Sequence, residues 1–321
     1  MMNLKNELDI IKECENAGRI GITGHIRPDG DCVGSCLALY EYLKKVNKNA
    51  EVKVFLQEPG DIFAILKGFD EIITDFPEEE PFDVFFVLDC EKDRTGDSVK
   101  YIEKAKKTIN IDHHISNSGS CIKNVIYPNI GSASEVLYYL LEKEYMDKEI
   151  ATSIYTGIIH DTGVMQYSNT SPDTLRVAAE LMEYGVEFSS IIEETFYEKT
   201  YMQTQIAGRV VMESIRFMDG KCVVGCLFDK IMKLYGAKTT DLEGIVNQLR
   251  NIKGVECAIF MYETGLMEYK ISLRSRSIVD VSKVASYFGG GGHVRAAGCT
   301  MHGTFYDCVN NLSERIAEQM K

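Results

Sequence analysis

The residues best equipped for chemistry fall in four clusters, each at the C-terminal end of an apolar run. Residues 19–24 run into His25, Asp29 and Asp31, and residues 83–88 into Asp89. Residues 108–111 run into Asp112, His113 and His114, and residues 153–159 into His160 and Asp161. The chain has six histidines, and four of them lie in these clusters. One histidine alone is ordinarily a packed or surface residue; four placed beside acids point to metal ligation. His25, Asp29, Asp31, Asp89, His113 and Asp161 bring four carboxylates and two imidazoles together. That is more negative charge than a protein buries without cations, and more protein donors than one ion needs. A two-metal site with a bridging carboxylate follows. Oxygen and imidazole donors without thiolate suit Mn²⁺, with Mg²⁺, Co²⁺ or Zn²⁺ as alternatives. Two such ions about 3.5–4 Å apart clamp an in-line displacement at phosphorus, with a bridging water as nucleophile. Helix capping would account for Asp29 or Asp31 singly, but not for the set.

The elements that must position these residues are short strands separated by helices. The pattern predicts helices over 4–17, 32–45, 98–106 and 174–184, and strands at 20–22, 51–56, 82–88 and 109–112. Residues 133–143 and 148–159 read as helical or mixed. This rhythm predicts an α/β fold with a doubly wound, mainly parallel sheet, in which ligands sit beyond the carboxyl ends of the strands. A long polar helix over 189–209 reads as a linker to a second, smaller α/β domain. That domain should have strands at 221–228, 255–261 and 267–274, and helices at 241–250, 280–288 and 306–320. The expected division is a catalytic domain over 1–187, a helical linker over 188–210 and a second domain over 211–321.

The second domain carries its own signal. Gly289, Gly290, Gly291 and Gly292 precede His293, and a helix expected after them would place backbone N–H groups and a helix dipole against an anion. Arg274 and Arg276, two apart on an expected strand, would share one face and grip a phosphate. Without the glycine loop they read equally well as a solvated strand face.

Composition narrows the partners. The net charge is −13, and residues 187–321 hold 16 basic and 16 acidic residues, so the whole imbalance lies in the first 186. A surface that acidic repels a long polyanion, so a nucleotide substrate should be short and held by local groups. No apolar run approaches the roughly 20 residues of a membrane span. Acids occur near the start where a signal peptide needs an apolar core, so a cytoplasmic location is expected. The ten cysteines form no CxxC; the CxxxC pairs Cys32/Cys36 and Cys222/Cys226 read as reduced core thiols at helical spacing.

The motifs His25-Ile26-Arg27-Pro28-Asp29-Gly30-Asp31, Asp89, Asp112-His113-His114 and His160-Asp161-Thr162-Gly163 resemble, in order, the four motifs of the DHH phosphoesterase family. Gly289–Gly298 resembles the GGGH motif of its DHHA1 C-terminal domain. The chain is similar in size to the stand-alone nanoRNase group of bifunctional oligoribonucleases and 3′-phosphoadenosine 5′-phosphate phosphatases. The resemblance implies His25, Asp29 and Asp89 on one ion, and Asp31, Asp89, His113 and Asp161 on the other. Asp112 would orient ligands, and His114 would face the scissile phosphate. Gly290, Gly291, Gly292, His293 and Arg274 would hold the far end of the substrate across a cleft. A homodimer is implied by the resemblance alone. The expected activity is manganese-dependent hydrolysis of very short RNA and of nucleotide bisphosphates. Rivals are a cyclic or linear di-adenylate phosphodiesterase and, in another class, a pyrophosphatase or exopolyphosphatase.

Overall fold

The computed structural model describes residues 4–320, apart from the side chain of His293. The chain divides after Glu198 into two compact units, each with its own six-stranded sheet.

The N-terminal unit runs α1 (Ile10–Cys14), β1 (Arg19–Thr23), α2 (Gly30–Val46), β2 (Glu51–Phe55), β3 (Ile72–Ile73), β4 (Val84–Leu88), α3 (Val99–Lys104), β5 (Thr108–Asp112), β6 (Lys123–Ile126), α4 (Ala133–Leu140), α5 (Lys148–Asp161), α6 (Pro172–Glu183) and α7 (Phe188–Ile192). The sheet order is β3-β2-β1-β4-β5-β6, and every pairing is parallel. Strand β4 is buried throughout, as a parallel strand covered on both faces should be. From β1 the chain winds outward through β2 and β3, returns to β1's other side as β4, and winds the opposite way. The switch point therefore lies between β1 and β4, where a doubly wound sheet opens its ligand crevice. His25 and Asp89 leave those two strands.

Two local expectations need correction, and one open reading is resolved. The first helix is only Ile10–Cys14, capped by Asp9, although Leu4 and Leu8 are buried in the core as the periodicity required. The run 153–159, which reads from the sequence as helical or mixed, lies inside the helix α5, and Asp161 is that helix's last residue. Its apolar look has a packing cause. Gly34 of α2 and Gly157 of α5 let the two helices meet backbone to backbone. A methyl group on Gly34 would lie 2.5 Å from the Ser153 carbonyl oxygen. A helix enclosed this closely is apolar almost all round, which hides its 3.6-residue period. Finally, the expected single linker helix is two segments. Phe188–Ile192 runs on into a π turn at Glu193–Tyr197, and a new helix starts after Thr200.

The C-terminal unit runs α8 (Tyr201–Met212), β7 (Ile215–Phe217), β8 (Cys222–Leu227), α9 (Asp229–Tyr235), α10 (Ile245–Arg250), β9 (Cys257–Gly265), β10 (Glu268–Ser275), α11 (Val281–Tyr287), β11 (Gly291–His293), β12 (Ala296–His302) and α12 (Phe305–Gln319). Its sheet, β11-β12-β10-β9-β8-β7, is antiparallel except for β8 against β9. Alternate residues face two helical layers. Cys222, Val224, Cys257 and Ile259 pack with α11 and α12, while Val223, Ala258 and Phe260 pack with α8 and α10. Helix α8 thus buries Ile206, Ala207 and Val210 in this unit instead of bridging solvent. Cys222 and Cys226 sit on a strand, where their spacing also shares a face. Among the described residues, no helix is long and apolar enough to cross a membrane.

Candidate metal centre

Four chain segments converge at the carboxyl ends of β1, β4 and β5. After β1, the Nδ1 of buried His25 meets the Ile26 carbonyl at 2.9 Å. Its Nε2 thereby faces inward, 3.3 Å from Asp89 Oδ2 and 3.6 Å from Asp29 Oδ1. Asp29 caps α2, accepting from the N–H groups of Asp31 and Cys32. After β4, Asp89 sits in the left-handed region at φ 58°, a conformation an ordinary residue holds only when its surroundings force it. The Asn110 amide donates to the carbonyls of Val87 and Cys90 on either side and fixes that turn.

After β5, Asp112 is fully buried and wholly engaged. Its Oδ1 accepts from the N–H groups of His113 and His114 and meets His114 Nδ1 at 2.8 Å, while Oδ2 accepts from the Asn117 amide. Burial works against its charge, but His114 and Asn117 hold the carboxyl below the usual range. Asp112 is thus a fixed anion that sets the histidine rings. His113 Nδ1 meets the Ile130 carbonyl, and its Nε2 points at Asp161 (3.4 Å), Asp89 (3.6 Å) and Asp31 (3.9 Å).

Asp31 has a role that its local sequence does not announce. Its two oxygens accept from the N–H groups of Ala133 and Ser134, the first residues of α4, at 2.6 and 2.9 Å. A helix N-terminus stabilises such an anion. Capping therefore does describe Asp29 and Asp31, yet each carboxylate oxygen keeps a second lone pair for a cation. Asp161 reaches the same point from α5, and the Asn169 amide donates to its backbone carbonyl.

The electrostatics leave a charge to be filled. Burial, and then the charge of Asp31, push the Asp89 carboxyl well above its usual range, and Asp161 is raised by the same two causes. Burial opposes protonation of His25, but Cys32, Asp29 and Asp89 outweigh it and push the imidazole up to about 12. Asp89 Oδ1 and His113 Nε2 are buried without any hydrogen-bond partner. An orphaned acceptor and an orphaned imidazole nitrogen side by side fit a divalent cation. Three donor groups have atoms within 4.8 Å of one another: Asp89/Asp112/His113/His114, His25/Cys32/Asp89, and Asp31/His113/Asp161. Five of the six expected ligands fall in them, and Asp29 adjoins the second through His25. Cys32, read from the sequence as core, is an unexpected member. His160 lies beneath the ligand loop: its ring occupies the space a Gly30 side chain would need, and Nε2 meets Thr195 Oγ1 at 2.9 Å.

The profile of the DHH family, N-terminal domain, matches residues 19–158, and that of the DHHA1 domain matches residues 220–321. The bifunctional oligoribonuclease and PAP phosphatase NrnA of Thermus thermophilus is 30% identical over 318 residues, covering 98% of this chain and 92% of the relative. The chain belongs to the DHH/DHHA1 phosphoesterase family. It is a hydrolase of that family. The enzyme of the same name from Bacillus subtilis is 27% identical over 287 residues, 87% of this chain and 88% of the relative. The crystal structure of an exopolyphosphatase-related protein from Bacteroides fragilis superposes with a TM-score of 0.87 at 26% identity, over 96% of this chain and 94% of that one.

The DHHA1 signal is built differently from expectation. No helix follows the glycines. They follow α11 and lead into the β11/β12 hairpin, where Gly291 pairs with Gly298 and Gly292 with Ala297. Gly290 and Gly292 are needed for close approach to β12: a methyl group there would lie 2.2 Å from the Gly298 carbonyl oxygen and 2.5 Å from that of Ala296. The helix dipole expected behind an anion is absent. Arg274 and Arg276 do not share a strand face either, because β10 stops at Ser275. The Arg276 guanidinium donates twice to the Arg250 carbonyl and closes α10, while Arg274 Nη1 donates to the Leu273 carbonyl. The role expected of the His293 side chain lies outside the described residues. The side chain of His302 is exposed, with Glu268 at 3.8 Å.

Proposed function

We propose that this protein is a manganese-dependent phosphodiesterase and phosphatase, which cuts very short oligoribonucleotides to mononucleotides and converts 3′-phosphoadenosine 5′-phosphate to AMP. The observation that carries the reading is the buried, unpartnered pair of Asp89 Oδ1 and His113 Nε2. The names of the two relatives supply the substrate class. His25, Asp29 and Asp89 would hold one ion, and Asp31, Asp89, His113 and Asp161 a second, with Asp89 shared. Mn²⁺ suits this mainly oxygen and imidazole set. Two such ions supply the positive charge that lets a water lose its proton near neutral pH and that offsets charge on the phosphate.

The chain's own groups do the rest. Asp112 holds the His114 ring against the site, so that His114 hydrogen-bonds a phosphate oxygen. The acids around the ligands keep longer polyanions away. In the C-terminal unit, Arg274 and the Gly290–Gly292 segment bind the terminal phosphate or base through a side-chain cation and exposed strand edge, in place of the helix dipole first expected. Arg276 already serves α10 and is not assigned to substrate.

The likeness to an exopolyphosphatase-related protein favours one rival, hydrolysis of phosphoanhydrides. A panel of 5-mer RNA, pApA, cyclic di-AMP, 3′-phosphoadenosine 5′-phosphate, pyrophosphate and polyphosphate, run with Mn²⁺ and with EDTA, decides. Turnover of the 5-mer and the bisphosphate with Mn²⁺ alone is expected. Turnover of the anhydrides but not of short RNA would refute the assignment.

A further inference from the structure

The sulfur of Cys32 lies at the floor of the metal centre. It occupies the space left by the missing side chain of Gly24, between the ends of β1 and β4; a methyl group on Gly24 would lie 2.2 Å from Sγ and 3.3 Å from the Leu88 carbonyl oxygen. Cys32 has no solvent exposure. Its sulfur, a ring nitrogen of His25 and a carboxylate oxygen of Asp89 all lie within 4.8 Å of one another. Two donors on one ion, at roughly 2.0–2.3 Å each, are at most about 4.5 Å apart, so a small side-chain rotation brings the sulfur within reach. Asp89 is nine-tenths buried and more, and its Oδ1 has no hydrogen-bond partner. Its other oxygen, Oδ2, lies 3.3 Å from His25 Nε2, so the site sets a soft donor beside a hard carboxylate and an imidazole.

We propose that Cys32 is a metal donor that sets the ion preference of the His25/Asp29/Asp89 position. Zinc and cobalt take thiolate readily, whereas manganese favours oxygen. Zn²⁺ or Co²⁺ would be held by His25, Asp89 and Cys32, with Asp29 beside them as a fourth donor, a set of the kind structural zinc sites use, which would leave catalysis no open position. The thiol proton leaves to solvent as the sulfur–metal bond forms. Mn²⁺, which favours oxygen donors, would not recruit the sulfur. Zn²⁺ is then a tight-binding inhibitor and Mn²⁺ the activator.

The inference rests on the two-ion reading above, and the test separates the two. Metal-free wild type, Cys32→Ala, Cys32→Ser and Cys36→Ala are titrated with Co²⁺ while bound ion is counted by equilibrium dialysis. Wild type and Cys36→Ala should develop a near-ultraviolet sulfur-to-cobalt charge-transfer band. Cys32→Ala and Cys32→Ser should bind Co²⁺ without it. Zn²⁺ affinity should fall about 10–100-fold in Cys32→Ala, with Mn²⁺ affinity changed less than about threefold. Bound cobalt in wild type with no band, or a band that survives Cys32→Ala, overturns the role of Cys32 and leaves the metal centre standing. No bound cobalt in wild type overturns both.

Discussion

Asp89 Oδ1 and His113 Nε2 stand 3.6 Å apart, both buried, and neither takes part in a hydrogen bond. Leaving one such group unpaired costs roughly 1–3 kcal/mol, and more when it is charged. The fold tolerates the cost because β4 and β5 are neighbours whose ends deliver both groups to the switch point. Asp89→Asn should keep the fold and lower ion affinity at least about 100-fold, in line with or beyond what supporting groups contribute; isothermal titration with Mn²⁺ measures it.

The metal-free protein should lose stability as pH rises. Asp89 and Asp161 are raised, so the folded state binds protons that the unfolded chain has released above about pH 4. His25, pushed up to about 12, acts in the same direction above its ordinary value near 6.5. Where the folded state holds more protons, stability falls with pH. Urea midpoints in EDTA should therefore be lower at pH 8 than at pH 6, and saturating Mn²⁺ should reverse the order. Ion binding should also release protons, seen as a dependence of the titration heat on buffer.

Gly34→Ala should be among the most damaging small changes in the N-terminal unit. The added methyl group meets the backbone of Ser153 and Gly157, which cannot rotate away. Overpacking of this kind costs about 1–3 kcal/mol, measured by urea unfolding. Because α2 carries Asp31 and α5 carries Asp161, Mn²⁺ affinity should fall with it.

Much of this site was legible along the chain. Strands β1, β4 and β5 announce themselves by apolar runs that end in ligands. What was not legible is how distant segments touch. Asp31 and the N–H groups of Ala133 and Ser134 are about a hundred residues apart, and no local pattern links them. The glycines at 289–292 need close approach, and sequence alone does not say whether an anion or a neighbouring strand approaches. Here Gly290 and Gly292 meet β12. Cys32 reads as core because it is core; only the fold shows what the core surrounds. One signal was present and passed over: Thr200 and Gln203 form a capping box, the mark of a fresh helix start where a continuous linker helix was expected.

Asp112→Asn should separate orientation from ligation. Asp112 touches His114 and the backbone of His113 through one oxygen, and Asn117 donates to the other. The variant should bind ions within a few-fold of wild type and lose about 10–100-fold in kcat, read by steady-state kinetics on the bisphosphate.

The two arginines should differ. Arg274→Ala should raise KM for short RNA about tenfold or more, the loss of one charge-assisted phosphate contact of roughly 1.5–3 kcal/mol. Arg276→Ala should leave KM unchanged and lower stability by about 1 kcal/mol through the lost Arg250 carbonyl contact. Kinetics and urea unfolding on both variants measure the split.

The central claim is that one shared carboxylate, Asp89, joins two ions into one hydrolytic centre. Counting Mn²⁺ bound per chain in wild type and Asp89→Asn, with hydrolysis of a 5-mer RNA followed in the same samples, tests it most directly. Two ions and turnover in wild type, with at most one ion and no turnover in Asp89→Asn, are predicted. An Asp89→Asn protein that keeps both ions and cuts the RNA at the wild-type rate would contradict it.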